Sequence, residues 1–89
     1  MQHLNIKIYG KVQGVFFRHS ARQKASELNI KGFVKNEPDG TVYIEAEGKE
    51  DNLKSFLEWC YKGPALASVD KVEFEFKQEI NNFTDFILK

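Results

Sequence analysis

The stretch Leu4-Asn5-Ile6-Lys7-Ile8-Tyr9-Gly10-Lys11-Val12-Gln13-Gly14-Val15-Phe16-Phe17-Arg18 changes period partway along. Over residues 4 to 12, Leu4, Ile6, Ile8 and Val12 share one parity and Asn5, Lys7, Tyr9 and Lys11 the other. That alternation predicts a half-buried strand, β1. From Phe17 the apolar positions Phe17, Ala21, Ala25 and Leu28 recur at helical intervals, with Arg22, Lys24 and Glu27 between them. This predicts an amphipathic helix, α1, ending near Asn29, a residue that tolerates a left-handed cap.

Further along, residues 30 to 36 read as a strand, β2, and Glu37-Pro38-Asp39-Gly40 as a turn, because proline presets φ and glycine accepts a positive one. A third strand, β3, carries Val42, Ile44 and Ala46 inward and stops at Gly48. Glu50 and Asp51 suit a helix start, and Leu53, Phe56, Leu57 and Cys60 form the stripe of α2, which Gly63-Pro64 ends. Residues 69 to 77 alternate through Val72, Phe74 and Phe76 as β4, and residues 83 to 88 add a short β5. Two helices cannot bury their stripes on each other and also cover four half-polar strands, so both are expected on one face of a mainly antiparallel sheet. The expected fold is α+β, a ferredoxin-like βαββαβ sandwich with a short fifth strand, one domain over residues 1–89.

Composition narrows the function classes. Thirteen basic and thirteen acidic side chains cancel, so no long-range field draws in nucleic acid or an anionic membrane. Apolar runs are short and the N-terminus has no basic region followed by an apolar one, so the expectation is a cytoplasmic protein without a membrane partner. Cys60 is the only cysteine and its place on the α2 stripe reads as a small core residue. His3 and His19 are expected at the surface, His19 with a possible electrostatic role beside Arg18. Phe33, Phe56, Phe74, Phe76, Phe83 and Phe86 are expected mostly in the core, with Trp59 filling a helix–sheet edge.

The β1–α1 junction is where chemistry is expected. A two-glycine loop running into a helix start aims unpaired N–H groups and the positive end of a helix dipole at one point, which suits a phosphate. Arg18, at the helix start, can fold a bidentate guanidinium over the same concavity. Asn36 ends β2, and in a split βαβ unit β1 and β2 run parallel, so their ends share one sheet edge. Its amide, both donor and acceptor, can hold a water. Glycines at such junctions also serve chain reversal, and asparagine before Pro-Asp-Gly also serves the turn. Position alone leaves both roles open. No Gly-x-Ser-x-Gly, His-Glu-x-x-His or Gly-x-x-x-x-Gly-Lys-Ser/Thr occurs, so the sequence gives no support to a covalent or metal mechanism.

Gly10-Lys11-Val12-Gln13-Gly14-Val15-Phe16-Phe17-Arg18 resembles the acylphosphatase signature G-x-V-Q-G-V-x-F-R at every specified position. A second block, Gly32-Phe33-Val34-Lys35-Asn36-Glu37-Pro38-Asp39-Gly40-Thr41-Val42, is similar to that family's G-aromatic-V-basic-N-x-x-D-G-x-V. The likeness continues through Phe56 to Cys60 and Gly63-Pro64 to Phe86. It implies hydrolysis of an acyl phosphate, a small-molecule substrate, without cofactor; a monomer is the default expectation, and the sequence leaves oligomeric state open. On this resemblance Arg18 binds phosphate and Asn36 positions the water; the loop geometry adds the main-chain amides of Gln13, Gly14, Val15, Phe16 and Phe17 as expected phosphate donors. Asn29 stands where many members have glycine, Phe33 where tryptophan or tyrosine is frequent, and Glu37 where some carry a hydroxyl residue, which leaves the partner of the Asn36 amide open. Two rival readings share the fold: a nucleic-acid-binding module, and a domain that binds a small anion without turnover.

Overall fold

The computed structural model describes residues 1–89. Its elements are β1 (Gln2–Lys11), α1 (Phe17–Glu27), β2 (Lys31–Asn36), β3 (Val42–Gly48), α2 (Glu50–Lys62), β4 (Ser68–Lys77) and β5 (Phe86–Leu88). They reproduce the expected order, and the strands lie in the sheet as β4-β1-β3-β2-β5. All neighbours are antiparallel except β2 and β5.

Alternation decides which face is covered. Leu4, Ile6 and Ile8 stand opposite Ala46, Ile44 and Val42 on β3, and all six are fully buried. Phe17, Ala21 and Ala25 from α1 and Leu53, Phe56, Leu57 and Cys60 from α2 join them in one cluster. One strand parity thus supplies the sheet's share of the core, and both helices lie on that side, as expected. Burying side chains of this size is worth about 1.5–3 kcal/mol each. Burial also pushes the Cys60 thiol well above its ordinary pKa, which fits a packing residue rather than a nucleophile. No helix is long and apolar enough to cross a membrane.

Four expectations need correction. Phe74 is 48% exposed, because β4 lies at the edge of the sheet. The fifth strand is confined to Phe86–Leu88, since residues 78 to 85 are used in carrying the chain from one sheet edge to the other. Phe83, in that connection, is only half-buried. His3, expected at the surface, is 4% exposed and lies within β1 opposite Glu47. Its Nδ1 is 2.8 Å from a Glu47 carboxylate oxygen and its ring stacks on Phe83.

Glu47 explains why this polar pair is buried on the face away from the helices. Its carboxylate also accepts the backbone N–H groups of Asn81 and Phe83, so it pins the crossing segment to the sheet. Burial alone would raise its pKa, but the Asn81 amide, His3 and the Phe83 amide outweigh that and hold it below the usual range. A carboxyl with a depressed folded pKa contributes stability above its unfolded pKa and loses it as pH falls through the folded one. Asp39 behaves alike: the Thr41 hydroxyl and amide, with Lys7, hold it down to about 2. Glu47→Gln is therefore expected to cost about 2 kcal/mol at neutral pH, the worth of hydrogen bonds to a charged acceptor. Urea unfolding should show this gap closing as the pH drops below the ordinary carboxylate range, where the wild-type side chain also becomes neutral. A gap that persists unchanged in acid would refute this account.

Candidate active site

The loop after β1 takes its shape from two glycines and one unusual phenylalanine. At Gly10 the register against β4 shifts, and a Cβ there would stand 2.2 Å from the Ser68 carbonyl oxygen. Four residues on, φ is +74° at Gly14 and +65° at Phe16, while Val15 between them and Phe17, the first helical residue, keep negative φ. Backbone that alternates in this way turns successive N–H groups toward one side, forming a concavity for an anion. The first helical hydrogen bond runs from Ser20 N–H to the Phe16 carbonyl, and the N–H groups of Gln13 to Phe16 donate to no backbone acceptor. Those of Phe17 to His19 belong to the helix's first turn, which has none within the helix. Above Gly14 there is open space: a Cβ would meet nothing within 4 Å.

Beside this loop lies a cleft of ≈ 280 Å³ whose walls include Gly14, Phe16, Phe17, Arg18 and Asn36. Five of the seven residues expected at the site are thus brought together. Gln13 and Val15 do not line the cleft, and their side chains have other duties. Val15 is 4% exposed and packs in the core. The Gln13 carboxamide donates to the carbonyls of Glu37 (2.8 Å) and Thr41 (2.9 Å), tying the loop to the β2–β3 turn directly after Asn36. Only their main chain can contribute donors. Phe17 is 2% exposed, its ring 5.3 Å from that of Trp59, so the helix start is anchored by a buried aromatic.

The sequence reading missed Val12 and Leu88 as wall residues, along with a second partner of Arg18. Arg18 Nη1 donates to the Lys89 carbonyl at 2.8 Å, and Lys89 N–H in turn donates to the Val34 carbonyl. Because β5 runs parallel to β2, with Val34 opposite Leu88, its end arrives beside Asn36. A parallel placement of the last strand was the signal that would have found these contacts. His19 is exposed, as expected, and borders the cleft.

Asn36 ends β2 opposite Val42, and its side-chain amide bonds to no protein group. Glu37 does not orient it: that carboxylate is 3.9 Å from Lys35 Nζ. The cleft therefore combines a guanidinium held at one nitrogen, a row of unengaged main-chain donors, and a free amide across the strand ends. No cluster of His, Cys, Asp or Glu suited to a metal ion is present.

Comparison with known proteins agrees along the whole chain. The family model described as Acylphosphatase matches residues 4–88. A Marinobacter nauticus acylphosphatase is 48% identical over 82 residues, 92% of this chain and 89% of that one. One from Archaeoglobus fulgidus is 52% identical over 83 residues, covering 93% and 92%. The crystal structure of acylphosphatase from Bacillus subtilis superimposes with a TM-score of 0.98 at 32% identity, covering 100% of this chain and 99% of that one.

Proposed function

This chain belongs to the acylphosphatase family, and from that premise we propose that it hydrolyses acyl phosphates to a carboxylate and inorganic phosphate. In this reading the loop amides of Gln13 to Phe17 and the Arg18 guanidinium hold the phosphoryl group, and Asn36 holds the attacking water. The observation that carries it is the alternation of φ from Gly14 to Phe17 beside N–H groups with no acceptor of their own. Such donors are fixed before the substrate arrives, so they cost little reorganisation when charge develops on the phosphoryl oxygens.

In the reaction the water oxygen bonds to phosphorus as the bond from phosphorus to the bridging oxygen breaks, and the electron pair leaves with the carboxylate. A carboxylate is a good leaving group and needs no proton from the protein. A phosphoryl oxygen accepts the proton lost by water. Positioning and charge stabilisation then carry the catalysis. The Lys89 carbonyl holds one guanidinium nitrogen of Arg18, leaving the other donors for the phosphate.

The same reading has the protein acting as a monomer in the cytoplasm on a free small molecule, with no nucleic-acid partner. The net charge of zero supports the absence of a nucleic-acid partner. The test is hydrolysis of benzoyl phosphate, followed by loss of its ultraviolet absorbance, with inorganic phosphate as a competitive inhibitor. Phosphate binding without any hydrolysis would instead indicate a domain that only binds the anion.

A further inference from the structure

Phe16 has no packing role that accounts for it. It is 71% exposed, although its neighbours Val15 and Phe17 are 4% and 2% exposed. Its φ of +65° and ψ of +22° are left-handed, a conformation that glycine adopts at less cost than a bulky side chain. The loop needs that backbone geometry to turn its N–H groups, but it does not need a ring there. Among the apolar residues lining the cleft, Val12 and Phe17 are buried and Leu88 is half-buried. Phe16 alone offers a largely open apolar surface.

Taking the acyl phosphate reading above as its basis, we infer that the Phe16 ring selects substrates with an aromatic acyl group, serving as the contact for the leaving carboxylate's substituent. The acyl carbon is joined to phosphorus through the bridging oxygen alone, so the substituent must lie at the cleft mouth once the phosphoryl group is seated. In-line attack places the leaving group on the side of phosphorus away from the water that Asn36 holds. On the loop side of the rim, Phe16 is the exposed apolar side chain. A substituent with a flat π-face can pack on the ring and shed water from both surfaces, whereas a methyl group covers little of it. A small acyl group relies on the phosphoryl contacts alone.

The test compares kcat/KM for benzoyl phosphate and acetyl phosphate in the wild type, Phe16→Tyr, Phe16→Leu and Phe16→Ala. The ratio of the two is expected to fall roughly three- to tenfold in Phe16→Ala, the range of one aromatic contact. It should fall less in Phe16→Leu and stay near the wild-type value in Phe16→Tyr. Taking the ratio cancels any loss from a disturbed loop, which lowers both rates together. A benzoyl-to-acetyl ratio that is the same in all four proteins overturns the assignment of Phe16 while leaving the acyl phosphate reading intact. Wild-type protein that hydrolyses neither compound overturns both. If Phe16→Ala does not fold, the order of Tyr above Leu carries the test.

Discussion

Arg18→Ala is expected to lower kcat/KM for benzoyl phosphate by roughly 10³-fold or more, and to abolish inhibition by inorganic phosphate. Removing one preorganised donor to developing charge costs about 3–4 kcal/mol in other enzymes. Arg18 supplies a full positive charge and, after its bond to the Lys89 carbonyl at 2.8 Å, still has donors to spare for two phosphoryl oxygens. Arg18→Lys separates charge from shape: an ammonium retains the attraction but cannot donate in parallel to two oxygens, so an intermediate loss is expected. Stability should change little, by about 1 kcal/mol, because the lost contact is one hydrogen bond at a half-exposed side chain. Thermal unfolding of the variant checks that the lost activity is not lost folding. Turnover within tenfold of the wild type would remove Arg18 from the proposed chemistry.

What could be read from the sequence was local. The period-two run from Leu4 to Ile8 and the helical stripes from Phe17 and from Leu53 each concern residues a few positions apart, and they sufficed for element order and the covered face of the sheet. The β1–α1 loop was legible for the same reason, since glycines, helix start and Arg18 are contiguous. What escaped depends on which strands become neighbours. His3 is buried because Glu47, opposite it on β3, and Phe83 cover it. Phe74 is exposed because its strand falls at the sheet edge. Alternation alone cannot distinguish an edge from a centre.

The long-range bonds around the cleft show the same limit and tie its walls together. Gln13 offers its main-chain amide to the anion loop, while its carboxamide reaches carbonyls 24 and 28 residues away. Arg18 reaches a carbonyl 71 residues away. Together they join three chain segments that alternation places near one another but does not fasten: the loop after β1, the turn after β2, and the end of β5. A site built on such ties holds its donors in place without help from the substrate, as positioning catalysis requires.

Asn36→Ala, by contrast with the arginine substitutions, should separate turnover from binding. Its amide makes no bond to the protein and sits at a strand end only partly shielded from solvent, so truncation leaves no buried partner unsatisfied and should barely alter stability. The loop donors and Arg18 remain, so the inhibition constant for inorganic phosphate should stay within about threefold of the wild type. On the proposed mechanism the water loses the group that fixes its distance and direction to phosphorus, and misplacement of about an ångström can cost around 10²-fold. A kcat lower by roughly 10²- to 10³-fold at nearly constant phosphate affinity is the expected signature. Asn36→Asp makes the argument sharper, because a carboxylate facing a phosphoryl dianion repels it as well as handling water differently, so here phosphate affinity should fall too. If Asn36→Ala weakens phosphate binding as much as it slows turnover, the amide belongs to the anion cradle and the water must be held by another group.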